Sequence, residues 1–278
     1  MQTLLIGHSP DADDAFMFYA LAKRIVTIPG YQVDHVMADI QTLNQKARKG
    51  ELPVTAISAA VYPEVAHRYR IMSCGASVGR NYGPILLAPE PMTLSDLANK
   101  RIAVPGDFTT AYMLLRLFVG APFQPVQVAF DKVIDAVQSG QADAAVIIHE
   151  GQLTWQQTGL HLVLDLGKAW TDDTGLPIPL GLDVIDRRLG DQTMHTIARA
   201  LKESIVYARA HEDDALDYAM QFGRGIDRDT CRTFVRMYVN EDTVDMGEEG
   251  RRALEELFRR AVERGMIAEK PKVDAIEF

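Results

Sequence analysis

The sequence predicts an α/β protein built as two lobes around a central cleft. Three observations predict it. Short apolar runs alternate with amphipathic helical segments through the first two thirds of the chain, the order of an α/β sheet with parallel pairs. Two Pro-rich breaks, Ala88-Pro89-Glu90-Pro91 and Gly175-Leu176-Pro177-Ile178-Pro179-Leu180-Gly181, divide the chain into three pieces. Polar residues gather where apolar strands end, at His149-Glu150 and at Thr109-Thr110, the position where open α/β sheets bind ligands.

The elements follow in order. Thr3–Gly7 reads as a strand, and Asp13 or Asp14 caps a helix through Phe16, Phe18, Leu21 and Ala22. Val33–Ala38 is a second strand. Asp39 then caps the helix Ile40–Lys49, which stops at Gly50. Val54–Ser58 is a strand before a helix near Ala59–His67. After the first break, Thr93-Leu94-Ser95-Asp96 has the spacing of a capping box. Arg101–Val104, a helix from Thr109, Val126–Phe130, a helix Lys132–Ser139 and the strand Ala144–Ile148 form a second α/β unit. Beyond the second break come one strand, Leu182–Ile185, and a mostly helical tail from Asp191 to Arg264, with helix starts at Asp227 and Gly247. The expected lobes are residues 1–88 with 182–278, and residues 89–181. Two crossings make a cleft able to close as a hinge; this is the architecture of type II periplasmic solute-binding proteins.

Composition narrows the function classes. The chain has 278 residues, 24% of them charged, and a net charge of −9. Non-specific nucleic-acid binding needs a basic face, so that class is disfavoured. A local site for a small anion remains compatible with an acidic protein. Two cysteines, Cys74 and Cys231, with no CxxC spacing argue against a disulfide framework or a zinc site. No apolar run approaches the roughly 20 residues of a membrane span. The start Met1-Gln2-Thr3 lacks the basic region of a signal peptide, so a cytoplasmic location is expected. Oligomeric state is not legible.

Each candidate residue has a chemical reason. Asp143-Ala144-Ala145-Val146-Ile147-Ile148 runs into His149, an imidazole with the pKa of a general base; Glu150 is read as structural. Thr109 and Thr110 put two hydroxyls beside the free amides of a helix start, a site for a carboxylate or phosphate. Ala56, Ile57 and Ser58 end a strand ahead of small residues that let a ligand reach the backbone. Ser9 offers a hydroxyl after the first strand, while His8, Asp11 and Asp13 are read as structural. Arg80 stands equally as partner of an anionic ligand or as a solvated charge, and Trp155 as core. The remaining histidines, His35, His67, His161, His195 and His211, are read as surface or packing residues. No second histidine stands at metal-ligand spacing, and no Walker or GxGxxG loop occurs, so neither metal nor nucleotide cofactor is expected.

Taken together, several segments carry a family resemblance over nearly the whole chain. They are Ser9-Pro10 with Asp14 and Phe16, Asp39-Ile40-Gln41-Thr42-Leu43-Asn44, Ser58 with Ala60 and Tyr62, and Gly79-Arg80 with Gly83-Pro84. Val104-Pro105-Gly106 with Thr109-Thr110-Ala111, Ile147-Ile148-His149-Glu150, Thr174-Gly175-Leu176-Pro177 with Pro179-Leu180-Gly181, and Tyr238-Val239-Asn240 with Gly247-Glu248-Glu249-Gly250 complete them. In order and spacing these resemble the MqnA/MqnD menaquinone-biosynthesis family, and within it the 1,4-dihydroxy-6-naphthoate synthase branch. The resemblance implies a cofactor-free carbon–carbon lyase of the futalosine route acting on cyclic dehypoxanthinyl futalosine. It implies His149 as proton acceptor, and Ser58 with Thr109-Thr110 as substrate-binding positions. The first turn departs from the family's common Ser-Pro-Cys-Pro-Asn-Asp-Thr-Phe: Asp13 adds a charge and Ala15 removes a hydroxyl. The alternatives are the sister activity, chorismate dehydratase, and a non-catalytic binder of small carboxylates.

Overall fold

The computed structural model describes residues 1–222 and 225–278. In chain order the strands are β1 (Gln2–His8), β2 (Tyr31–Met37), β3 (Val54–Ser58), β4 (Tyr69–Met72), β5 (Ser77–Gly79), β6 (Ile85–Ala88), β7 (Arg101–Val104), β8 (Gln124–Gln127), β9 (Ala144–Ile147), β10 (His161–Asp165), β11 (Ile178–Asp186) and β12 (Ala275–Ile276). They form two sheets. The first has the order β12-β4-β11-β3-β1-β2 with β5 added on β11; the second has the order β10-β6-β9-β7-β8. In the first, β1 lies parallel to β2 and β3, while β11 runs antiparallel to β3, β4 and β5. In the second, β7 is parallel to β8 and β9, and β6 is antiparallel to its neighbours.

Sheet membership moves both crossings from where the prolines suggested. Ile85–Ala88 pairs with β9 and β10, so it lies in the second sheet, and the first crossing precedes it. The Pro-Gly segment around Pro179 is not a linker: it is the first half of β11, paired with β5. A register irregularity between Pro179 and Gly181 accommodates the proline, which has no amide to give to the ladder. The strand expected at Val126–Phe130 lies two residues earlier.

Local signals behave as their chemistry requires. Asp39 accepts from the Thr42 amide at the start of the helix Ile40–Lys49, and Gly50 closes it in the left-handed region. Thr93 and Asp96 form the capping box, and Asp227 caps the helix Arg228–Tyr238. At the first helix, Ala12–Met17, the N-cap is Asp11; Asp13 and Asp14 sit inside the first turn.

The central strands of each sheet are buried on both faces. Ile85, Leu87, Ala103, Ala145 and Ile147 face a helical cover around Val133, Ala136 and Val137. Their alternates Leu86, Ala88, Ile102, Val104, Ala144 and Val146 join a core that continues into the first lobe through Ile57, Tyr62, Val78 and Val184. The helix Gly247–Glu263 sits within this shared core. Its Phe258 ring stacks on Tyr62 of the first lobe, and its Arg260 lies over Trp170 of the second. The far face of the first sheet packs on the helices Ala12–Met17, Asp191–Ala210, Glu212–Ala219 and Arg228–Tyr238. Among the described residues no helix is long and apolar enough to cross a membrane.

Candidate active site

A cavity of about 120 Å³ lies between the lobes, where the carboxyl ends of β1 and β3 meet the start of the helix Thr110–Phe118. Six of the sequence-predicted residues line it: Ser9, Ala56, Ile57, Ser58, Thr109 and Thr110.

One wall is made of hydroxyls and amides. Thr109 caps the helix, accepting from the Tyr112 amide while its hydroxyl donates to the Gly106 carbonyl at 2.8 Å. Its own carbonyl takes the Met113 amide. That leaves the first-turn amides of Thr110 and Ala111, both lining residues, as donors for a ligand. The Thr110 hydroxyl ties the lobes together: it donates to the Leu180 carbonyl at 2.7 Å and accepts from the Ala60 amide at 3.1 Å. Ser58 is held by Asn44, whose side chain takes the Ser58 amide at 2.8 Å and donates to its hydroxyl at 3.0 Å. The same Asn44 amide reaches the Phe108 carbonyl in the other lobe, at 3.2 Å. Gln41 adds a second bracket, donating to Asp107 and accepting from the Phe108 amide.

The facing wall is acidic. Ser9 donates its backbone amide to Asp14 at 2.6 Å and its hydroxyl to Asp11 at 2.5 Å. Asp11, Asp13, Asp14 and Asp183 all line the cavity. Burial, with the nearby Asp11 charge second, pushes the Asp13 carboxyl up to about 7. Burial and the neighbouring Asp13 and Asp183 hold Asp14 well above the usual carboxylate range, against the lowering effect of the Ser9 amide. Burial alone pushes Asp183 up to about 8. The cavity therefore carries less negative charge than four aspartates suggest. No group of His, Cys, Asp and Glu among the described residues is arranged to hold a metal ion.

Two predicted residues stand outside the lining. His149 follows β9, between the lining residues Ile148 and Gln152. Its Nδ1 accepts the Gly151 amide at 3.0 Å, so the neutral ring carries its proton on Nε2. Its ring meets Phe130 edge-on, and a Cβ on Gly151 would come within 2.6 Å of it. The expectation that Arg80 meets an anionic ligand is corrected by its partners. Its guanidinium grips Asp242 at 2.7 and 2.8 Å and Glu249 at 2.7 Å, outside the cavity. Those carboxylates also raise its pKa.

Sequence reasoning did not place several lining residues in the site. Asp11, Asp13 and Asp14 were read as structural or as helix caps, with Asp13 noted only as an added charge. Asp183, Gln152 and Tyr238 carried no local signal, because each reaches the cavity through a strand register or a contact far along the chain. The Tyr238 hydroxyl donates to Gln152 at 2.9 Å, a further link between the lobes, and burial raises its pKa.

Fold and site together define a two-lobed α/β protein with the solute-binding fold and an interlobe cavity walled by hydroxyls and amides on one side and by carboxyls on the other. The fold resembles the ligand-binding component of an ABC-type import system from Staphylococcus aureus, with TM-score 0.73 at 14% identity, covering 100% of this chain and 97% of that one. A solved structural-genomics protein of Archaeoglobus fulgidus is far nearer, with TM-score 0.91 at 45% identity over 95% of this chain and 98% of its own. The family model described as menaquinone biosynthesis matches residues 4–263, and the chain belongs to that family. Among curated relatives, a Thermus thermophilus protein is 40% identical over 98% of both chains, and a Streptomyces coelicolor protein 36% identical over 95% of both. Each is named 1,4-dihydroxy-6-naphtoate synthase.

Proposed function

We propose that this protein is a 1,4-dihydroxy-6-naphthoate synthase, a carbon–carbon lyase that converts cyclic dehypoxanthinyl futalosine into the naphthoate and a sugar-derived fragment. The reading is supported by the names of two relatives aligned over nearly the whole chain. The observation that carries it is the two-walled cavity, with the Thr110 and Ala111 amides and Ser58 on one side and, on the other, the Asp13, Asp14 and Asp183 carboxyls, whose pKa values burial raises. An aryl carboxylate is taken by the amides of the helix start and the Ser58 hydroxyl, where the helix dipole and unpaired donors favour an anion. The sugar portion, which carries hydroxyls and no charge, then faces the acidic wall.

His149 is the proposed proton acceptor. With Nδ1 on the Gly151 amide, the ring offers a donor at Nε2. To accept a proton it must leave that amide as the turn after β9 moves onto the substrate. The neutral imidazole then removes a proton from the sugar portion, and the fused ring system eliminates toward the aromatic diol. Aromaticity supplies the driving force, so the protein's work is holding the anion and placing the base.

The test is to incubate purified protein with cyclic dehypoxanthinyl futalosine, follow the naphthoate by chromatography and mass, and run His149→Ala beside it. The expected loss for removing one placed base is about 10²–10⁴-fold in kcat. Absence of product from the wild type overturns the reading, and chorismate is the substrate to try next. Product from the wild type and undiminished activity in His149→Ala overturn the base assignment alone.

A further inference from the structure

We infer that Asp183 is a ligand-contacting residue whose carboxyl takes a hydroxyl of the uncharged, sugar-like part of the bound molecule. The inference rests on the substrate class proposed above and assigns that substrate's second anchor.

Asp183 occupies β11 opposite Ala56 of β3, two residues from Gly181, which pairs with Ser58. Its own face of the strand continues into Ile185, which belongs to the helical core of the first lobe. An apolar residue is what that pattern asks for. A carboxyl stands there instead, 1% exposed, with neither oxygen hydrogen-bonded to any described residue. It also lines the cavity. Gly75, in the left-handed region at φ +82°, leaves room for it: a Cβ there would lie 2.0 Å from Oδ2. No cation contributes to its ionisation; the titratable groups around it are Asp14 on the first helix, with Asp13 beside it, and Cys74 on the segment after β4. β3 opposes it with Ala56, and the helix Asp191–Ala210 presents the Ala198 carbonyl, which the Cys74 thiol occupies.

An orphaned buried carboxyl is costly, because a polar group taken from water without a partner loses its hydration uncompensated. Such a group is accounted for if a ligand supplies the partner. A carboxyl kept protonated by burial has both a donor and an acceptor oxygen, the complement of an alcohol. It repels no carboxylate. The other wall, with its helix-start amides, is the one suited to an anion. The two walls together select a molecule with a carboxylate at one end and a hydroxyl on a saturated portion at the other.

The test compares wild type, Asp183→Asn and Asp183→Leu, each checked for native circular dichroism. Kinetics use cyclic dehypoxanthinyl futalosine; calorimetry uses 2-naphthoate, which has the carboxylate and ring but no sugar hydroxyl. The expected result is a loss of about 100-fold in kcat/KM for Asp183→Leu, with 2-naphthoate affinity changed by less than about threefold. The Asn variant, with the same shape and its own donor and acceptor, stays within about tenfold of wild type. It also loses the decline of kcat/KM above about pH 8 that the Asp183 carboxyl imposes on the wild type. Wild-type activity in Asp183→Leu, an Asn variant as impaired as Leu, or equal weakening toward both ligands overturns the inference. A wild type that never turns over the substrate overturns the proposed function instead. The inference is then judged with gluconate against 2-naphthoate: it stands only if the wild type binds gluconate and Asp183→Leu weakens that binding alone.

Discussion

Replacing Asp183 by Asn should stabilise the protein, and by an amount that grows with pH. The unfolded chain ionises this carboxyl with the ordinary value of 3.8, whereas burial pushes it up to about 8 in the folded state. Between those values the folded state keeps a proton that the unfolded state has lost. The folded state's advantage is therefore complete below the unfolded pKa and is lost as pH rises through the folded one. Each unit of pH costs about 1.4 kcal/mol over that window. From pH 5 to pH 8 the wild type should lose roughly 4 kcal/mol relative to Asp183→Asn, which has no proton to lose. Relief of Asp14, whose raised pKa owes part of its shift to Asp183, acts in the same direction. The assay is urea unfolding of both proteins at pH 5, 6, 7 and 8, read as the difference in unfolding free energy at each pH. A difference that stays flat across the series, or an Asn variant less stable at pH 8, would refute the reasoning.

Three further outcomes are expected. Asn44→Ala removes the bracket on Ser58 and the link to Phe108; it should weaken 2-naphthoate binding about tenfold and cost about 1–3 kcal/mol of stability, by calorimetry and urea unfolding. His8 is buried against Phe18, and burial, with the His35 ring second, lowers it from 6.5 to about 4. Because its folded pKa is depressed, its contribution is present above pH 6.5 and is lost as pH falls toward 4, about 3 kcal/mol in all. His8→Asn should unfold with a correspondingly shallower acid dependence, and an unchanged acid midpoint slope speaks against this burial account. Phe258→Ala, which empties a fully buried site between Tyr62 and the sheets, should cost about 3–5 kcal/mol in a denaturation series.

What was legible in the sequence was what depends on neighbours a few residues away. Asp39 and Gly50 bound their helix because a cap and a left-handed stop are local chemistry. The turns at Ser58 and Thr109-Thr110, which line one cavity, were readable as candidates because a strand end and a helix start expose donors wherever they fall in a fold. Long-range pairing was not readable. Arg80 looked free because its partner Asp242 lies 162 residues away. Asp183 looked like one polar residue in a short strand, since only the register with β3 and the approach of Gly75 bury it. The prolines at 177 and 179 suggested a linker, but an added strand beside β11 and a local irregularity turn that stretch into sheet. Asp13, a departure from the family's usual Asn, was expected to add a charge; burial and Asp11 bring it close to half-protonated near neutrality.

The core shared by the two lobes has a consequence for how this frame does its work. A transport receptor must swing wide to surrender its cargo, and its domains are joined by little more than hinge strands. Here Phe258 and Trp170 belong to a single apolar interior shared by both lobes, with Phe258 stacked on Tyr62 and Arg260 lying over Trp170. Swinging the lobes apart would expose that interior to water at about 25 cal/mol for each Å² uncovered. Traffic into the cavity is better served by small local shifts, such as parting Gln152 from Tyr238, than by a clam-shell motion. The same interior makes the molecule melt as one body, so heating should show a single transition in which neither lobe outlives the other.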